Sequence, residues 1–517
     1  MNTPRRYELI TFALIEGFGV ASFELIVAKS ISGFFGNSLQ IWTSVLGLTM
    51  ACLAVGYYLG GWVSKRKKYN HLTTYLALIA AVFLVVNTAI AQHLMIAFHS
   101  GGYYTGMIFS ALVLLSPGLI ALAMINPIII EQAANQSTGT TGKHTGNTYA
   151  VSTLAGVVWT LILGLYLLSD YGKSISSVIS GFAIFLAVIP ILKRNKILFG
   201  YKAILPVSVL IISTSIQLNK YFTIPEHKQH IIHYQNDGMM GEMIVMDHLH
   251  DKYNRMMYVN AISQSNVRIS DYYSLGLYIH RIAAVSSLKP KGSSALIIGM
   301  GAGSLVDEFQ RLEFDTKVCD IDQRVYDVST QYFNLDFDRN NFIEDDARHL
   351  LRSIDGKFDI IVFDLALGEF QPSHVYTVEA FSSLKRILKD DNSFVFLHYT
   401  DRSDHSIAYR SVARTLFEAG FQIKELTPHP NIPDDKVIIA MTGAPRTGTF
   451  KHNRINDCCK QSGPVEKLME TSDIDLKDTY ILTDDKPLLD VLNTETMMYY
   501  RKLSIKELIL KMASSDF

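Results

Sequence analysis

The sequence is poor in cysteine, with four residues in 517: Cys52, Cys319, Cys458 and Cys459. That number offers no disulfide framework, and the adjacent pair Cys458–Cys459 suits neither a metal site nor an ordinary bridge. An excess of one charge is also missing. Lys and Arg number 47, Asp and Glu 48, and the formal net charge of -1 argues against a general nucleic-acid binder. The 16 histidines are scattered, none beside Cys or carboxylates at ligand spacing, so no dedicated metal site is expected. The N-terminus lacks a cleavable signal pattern: its first apolar run is too long and no small-residue cleavage site follows it before the next run.

What the chain has in quantity is apolar residues, 49% of the total, with a mean hydropathy of +0.18. They concentrate before about residue 218, and most acidic residues lie after it. The chain thus divides into a multi-pass helical membrane half, 1–220, and a globular half. A membrane span needs roughly 20 mostly apolar residues. Seven candidates stand near 8–32, 39–63, 73–98, 105–130, 149–168, 174–192 and 199–217. Buried helices of a soluble core do not follow one another in such numbers. Glu16 and Glu24 lie inside the first span. A carboxylate there is costly and faces the bundle interior. It marks a polar pocket or ion path, or it is held by a neighbouring hydroxyl or amide for packing alone; both readings stay open. Gly56, Gly60 and Gly61 read as a helix-packing face. The basic clusters at Arg5–Arg6, Lys65–Lys68, Lys143 and Lys193–Lys202 fall on one side of alternating spans, the side expected to be cytoplasmic. Seven crossings then put the second half on the other side.

The globular half opens with a small β subdomain and connecting helix, 221–285. Residues 228–265 alternate apolar and polar, as antiparallel strands do, and a helix is expected over 270–286. Residues 286–517 carry the stronger signal. Ala295-Leu296-Ile297-Ile298 reads as a buried strand running into Gly299-Met300-Gly301-Ala302-Gly303-Ser304, with a helix from about Leu305. Glycines at such a turn let the backbone approach a ligand and leave helix N-terminal amides pointing at it. A second strand, Lys317–Ile321, brings Asp320 about 20 positions on, placed to bind both hydroxyls of a ribose. Asp322 stands two residues further on, past the end of that strand. Asp346 either caps a helix or accepts from an adenine amino group, with the Ala347 amide donating to the ring. A further buried strand, Phe358–Phe363, ends at Asp364, whose carboxylate points into the crevice of a parallel sheet. Ser393–Leu397 is another strand, followed by His398-Tyr399, and the alternation implies a doubly wound, Rossmann-like α/β sheet. Asp434-Asp435-Lys436 reads as a turn without assigned function. The tail from Thr496 has apolar residues at helical spacing, as in a docking helix.

Taken together these motifs resemble the spermidine synthase (polyamine aminopropyltransferase) family, and the whole chain resembles its membrane-fused, multi-pass branch. In the first half the resemblance rests on Gly17–Glu24, Phe35–Ser38, Gly56–Gly61 and Asn147–Gly156. In the second it rests on Asn260–Ser265, the Gly299–Gly303 turn, Asp320, Asp345–Arg348, Asp364 and Leu482–Pro487. The resemblance implies a propylamine group moved from decarboxylated S-adenosylmethionine to a polyamine amine, with 5'-methylthioadenosine leaving. It implies Gln264 and Tyr273 in the substrate cleft, Tyr273 with Asp364 in the catalytic role, Asp320 on the ribose, and Asp346 and Ala347 on the adenine. The glycine turn, through Gly299, Gly301 and Gly303, would complete the nucleoside site. The chain also departs from the family's pattern. Ala302 replaces an aspartate within the turn, Leu367 a second aspartate past Asp364, and Ser274-Leu275 the His/Gln-Glu pair. The lost carboxylates are those expected to grip ammonium groups, and a diamine buried without them is costly.

Four functions follow as expectations. The first is a lyase that cleaves the aminocarboxypropyl carbon–sulfur bond of intact S-adenosylmethionine, releasing methylthioadenosine and, by intramolecular attack, homoserine lactone. The second is an aminopropyltransferase with an unusual acceptor, in which Glu242, Glu369 or His374 replaces the lost carboxylates. The third is a methyltransferase. The fourth is a non-catalytic transporter or sensor that binds the nucleoside. The expected partners are a small-molecule substrate and the lipid bilayer, with a homo-oligomer left open. The expected location is the cell membrane with the globular half cytoplasmic, since adenosyl sulfonium compounds are made there, which conflicts with seven crossings.

Overall fold

The computed structural model describes residues 5–36, 39–64, 71–99, 101–136, 141–195, 208–215, 230–238, 240–248, 254–366, 371–401, 406–426, 434–443 and 470–506. Two compact units result: Met1–Pro225 with Gln235–Met243, and Glu226–Tyr234 with Ile244–Phe517.

Among the described residues, the first unit has six helices long and apolar enough to cross a membrane. They are α1 (Arg6–Phe35), α2 (Leu39–Ser64), α3 (Leu72–His99), α4 (Tyr103–Ala134), α5 (Thr141–Ile162, continued through a π-helical turn, Leu163–Leu167, to Asp170) and α6 (Gly172–Arg194). The seventh candidate, 199–217, lies largely outside the described residues; 208–215 are helical. Gly56 and Gly60 face Ala123 and the backbone of Met124 on α4, where a side chain would collide. Gly61 meets no atom within 4 Å and takes no part in that packing. Glu16 is buried and accepts from the Tyr57 hydroxyl at 3.0 Å and from the Ser152 hydroxyl. Glu24 is half-buried.

After the helices comes a four-stranded sheet, in the order β1 (His230–Gly238), β2 (Gly241–His248), β3 (Asn254–Val259), β4 (Ile262–Arg268), with β3 and β4 antiparallel. The helix expected over 270–286 starts later, as α7 (Leu277–Ser286). Asp271 explains the delay. It accepts from the Tyr273 amide and pairs with Arg268, Tyr272 takes a φ of 55°, and the chain turns before Gly276 can start the helix.

The large sheet follows. Its strands are β5 (Ser294–Ile298), β6 (Asp315–Asp320), β7 (Phe342–Glu344), β8 (Ile360–Phe363), β9 (Phe394–Thr400), β10 (Gln422–Leu426), β11 (Asp435–Met441) and β12 (Thr471–Ser472). The spatial order is β12-β10-β11-β9-β8-β5-β6-β7. Strands β7, β6, β5, β8 and β9 are parallel, whereas β11, β10 and β12 are added antiparallel. The sheet is therefore mixed. The expected turn at 434–436 is confined to Asp434; Asp435 and Lys436 already belong to β11, because the apolar run Val437–Ala440 pairs with β9. Strands β5 and β8 are buried at nearly every position, as befits strands covered on both faces. The covering helices include α8 (Ser304–Arg311), α9 (Arg324–Tyr332), α10 (Ala347–Ser353), α11 (Val378–Ile387) and α12 (Ile407–Glu418). Leaving β5 the chain steps to β6 and β7, then returns to β8 on the other side. Strand order thus reverses at β5, and a crevice opens beyond the carboxyl ends of β5, β6 and β8. Near the C-terminus lie α13 (Leu489–Leu492) and α14 (Thr494–Ser504). α14 docks, with Met497 and Arg501 buried and the Tyr500 hydroxyl on Asp434; Leu508 and Leu510 of the expected helix lie outside the described residues.

Candidate active site

The turn from β5 into α8 is shaped by backbone conformations that only glycine adopts without strain. Gly299, Gly301 and Gly303 have φ of 97°, 54° and 78°. At Gly299 the reason is also steric, since a β-carbon would strike the backbone carbonyl of Asp364. The Ala302 amide donates to the Ser265 hydroxyl at 3.0 Å, which ties the turn to β4. No side chain caps the N-terminus of α8, so its first amides have no side-chain acceptor.

Asp320 ends β6. Its Oδ2 accepts from the Met300 amide at 2.8 Å and its Oδ1 from the Asp322 amide at 3.0 Å. Burial outweighs these amides and pushes its pKa up to about 6. Each oxygen retains a lone pair for a further donor. Asp322 is occupied elsewhere, paired with Arg324 at 2.6 Å. Asp346 caps α10: Oδ1 accepts from the amides of Arg348 (2.8 Å) and His349 (3.2 Å), and Oδ2 meets His374 Nε2 at 3.0 Å. Burial works against the charge, but His374 and the helix amides hold the carboxyl below its ordinary value. Ala347 is the buried first residue of that helix. Nearby, Asp484 of the Leu482–Pro487 segment accepts from Thr377 Oγ1 (2.7 Å) and Arg348 Nη2 (2.6 Å). That segment therefore fastens the start of α10 to the cap of α11.

Asp364 follows β8, and both its oxygens are taken. The Tyr278 hydroxyl donates to Oδ2 at 3.0 Å, and His398 Nδ1 lies 2.8 Å from Oδ1. The Tyr278 and His398 rings stack with centroids 3.5 Å apart. His398 Nε2 lies 3.6 Å from Asp435 Oδ1. Burial opposes charge on His398, yet Asp364 and Asp435 together push its pKa up to about 9, so it is an imidazolium at neutral pH. Burial and the neighbouring Asp364 raise the Tyr278 phenol well above its usual range, which keeps it a neutral donor.

The phenol that meets Asp364 is thus that of Tyr278, not the sequence-expected Tyr273, whose ring stacks on His280 at 4.4 Å beneath Arg268. Tyr273 lines a cleft with Ala302, Gly303 and Leu335. Gln264 bonds its Nε2 to the carbonyls of Ile262 (3.4 Å) and Ser263 (3.3 Å). Leu367 and Glu369 lie outside the described residues. Sequence reasoning missed Tyr278, His398 and Asp435. The available signal was a polar pair, His398 and Asp435, at the edges of two otherwise apolar strands. Among the described residues no group of His, Cys, Asp and Glu is arranged to hold a metal.

Residues 277–427 match the spermine/spermidine synthase domain. The N-terminal histidine N-methyltransferase of Emericella nidulans is 33% identical over 121 residues, 23% of this chain and 22% of that protein. The polyamine aminopropyltransferase of Clostridium perfringens is 31% identical over 147 residues, 27% of this chain and 50% of that protein. The chain thus spans half the length or less of these curated relatives. Among solved structures, a probable spermidine synthase from Corynebacterium glutamicum aligns with 50% of this chain and 97% of its own, at 16% identity and a TM-score of 0.38. The stretch that carries β5, Asp320 and Asp364 thus matches the spermine/spermidine synthase domain and is similar in sequence to polyamine aminopropyltransferases.

Proposed function

We propose that the second unit binds S-adenosylmethionine and cleaves its aminocarboxypropyl carbon–sulfur bond, releasing 5'-methylthioadenosine. In this reading Asp320 takes both ribose hydroxyls on its free lone pairs, and the glycine turn admits the nucleoside close to the backbone. Asp346, Ala347 and the α10 terminus face the adenine edge, while Gln264 and Tyr273 border the cleft. The substrate's carboxylate attacks the carbon bonded to sulfur. The carbon–oxygen bond forms as the carbon–sulfur bond breaks, and sulfur keeps the electron pair. Homoserine lactone and neutral methylthioadenosine result, with no proton to remove. The site's work is then alignment of a substrate that brings its own nucleophile. One observation carries this choice: both oxygens of Asp364 are engaged, one by a phenol and one by a cation. An incoming ammonium would bring a second cation to a carboxylate that already holds one, and the two cations would repel.

Aminopropyl transfer from decarboxylated S-adenosylmethionine to an amine is the second reading, favoured by the likeness to polyamine aminopropyltransferases. Incubation of the detergent-purified chain with S-adenosylmethionine alone, followed by mass identification of the nucleoside, separates the readings. Methylthioadenosine without added amine supports the lyase. Strict dependence on decarboxylated substrate and a polyamine supports transfer. Adenosylhomocysteine indicates a methyltransferase, and unchanged ligand a binding protein, either of which rejects both.

We further propose that the first unit places the chain in the cell membrane, with the second unit cytoplasmic. This reading takes the candidate 199–217, which lies largely outside the described residues, as not crossing: the six spans among the described residues then return the chain, at Lys193–Arg194, to the side of Arg5–Arg6.

A further inference from the structure

His398 is a charged side chain at the reacting end to which the chemistry above assigns no step. It comes from β9, while the carboxylates on its two ring nitrogens come from elsewhere, Asp364 after β8 and Asp435 at the start of β11. One ring face is closed by Tyr278 of α7, at an interplanar angle of 5°. The imidazole side chain is 12% exposed, and no hydrogen bond satisfies its Nε2. Tyr376, also buried, adds a second phenol near Asp364. Two carboxylates facing each other in so enclosed a place repel unless a cation separates them. In a site that binds a diamine, the substrate's ammonium is the natural cation for that position. Here the protein supplies its own.

We propose that His398, clamped between Asp364 and Asp435, is the specificity-determining residue of this site: its ring fills the cation position that a diamine's ammonium would otherwise occupy. The inference rests on the adenosyl-sulfonium reading given above. It adds that this chain turns away diamines by internal charge compensation as well as by the aspartates it lacks. The raised pKa of His398 agrees, since the ring stays charged through the physiological range. His398 acts through Asp364 and Asp435 and is a positioning residue in the chemistry itself.

The test is His398→Gln, which keeps a side-chain donor near Asp364 and removes the charge. Calorimetry on the full chain in detergent then measures two ligands, methylthioadenosine and, with the nucleoside saturating, putrescine. Nucleoside affinity should stay within about twofold, while putrescine should bind at least about tenfold more tightly, because two uncompensated carboxylates now face it. Adding Asp435→Asn should reverse the gain, which a merely structural role for His398 would not do. A second measurement needs no variant. The affinity of the unaltered protein for a permanently charged bis-quaternary diamine should rise as pH passes about 9, where His398 loses its proton while Tyr278 stays neutral. Unchanged putrescine affinity in a variant that still binds nucleoside, or a flat profile with the quaternary diamine, overturns the inference alone. Failure of the unaltered protein to bind methylthioadenosine instead overturns the reading beneath it.

Discussion

Two carboxylates stand at the ends of the strands flanking β5, and the fold holds them in opposite ways. Asp320 receives two backbone amides, from Met300 and Asp322. Asp364 receives a phenol and an imidazolium from α7 and β9. Amides fixed by the glycine turn orient Asp320 without matching its charge, so burial dominates and its pKa rises to about 6. Asp364 has a cation on one oxygen and a neutral donor on the other. Side-chain partners can be exchanged by single substitutions, whereas backbone donors cannot. On the proposed reading, the nucleoside end is therefore the part of this site that resists single substitutions, and the reacting end is the part where specificity can change.

That contrast can be broken or sharpened by experiment. Replacing the carboxylate at the reacting end, Asp364→Asn, disturbs the alignment set by Tyr278 and His398 and should lower turnover about a hundredfold with nucleoside affinity nearly unchanged, measured as methylthioadenosine formed per unit time. Equal loss of binding and turnover would erase the division between the two ends. Gly299→Ala places a methyl group against the Asp364 carbonyl in a left-handed backbone conformation, and should cost about 2–4 kcal/mol of stability in the second unit. Thermal unfolding in detergent reads that cost, and an unshifted midpoint would mean the turn relaxes freely.

Acid should act on the nucleoside end. The folded-state pKa of Asp320 lies above its ordinary value of 3.8, so the folded protein takes up this proton first, and fold stability from this group decreases as pH rises between 3.8 and about 6. Ribose recognition has the opposite dependence, because the ionised carboxylate accepts both hydroxyls. Methylthioadenosine affinity should be full above about pH 6 and fall as pH drops through it, and Asp320→Asn should abolish that acid limb. The smallest effect is expected at Asp484→Asn. Asp484 is 43% exposed where it meets Arg348, and a pair so open to solvent contributes about 0.5 kcal/mol. A loss of several kcal/mol would give the Leu482–Pro487 segment a larger role than fastening α10 to α11.

The strand, turn and acid proposed for the nucleoside were legible in the sequence because they are local. A buried strand, a glycine turn and an acid about 20 residues on are fixed by chain order, and β5, β6 and Asp320 lie where that pattern puts them. Asp364 was legible for the same reason, as the polar residue that ends an apolar strand. Its partners were not. Tyr278 competes with Tyr272 and Tyr273 within seven residues, and the choice turns on where α7 begins, which Asp271 and Gly276 decide. His398 and Asp435 meet only through the antiparallel register of β9 and β11, a pairing no local pattern announces. Asp435 was further hidden by an acidic pair that resembles a turn, although the Val437–Ala440 run behind it belongs to a strand. In the first unit six spans were plain from length and hydropathy. The hydroxyls of Tyr57 and Ser152 on Glu16 come from two other helices and were beyond sequence reading.

The central claim is a nucleoside pocket built on Asp320, and calorimetry with methylthioadenosine at pH 8 tests it most directly. The unaltered chain should give a saturable heat, and Asp320→Ala should weaken binding about a hundredfold, the loss of two charge-assisted hydrogen bonds. Equal heats from the two proteins, or none from either, would contradict it.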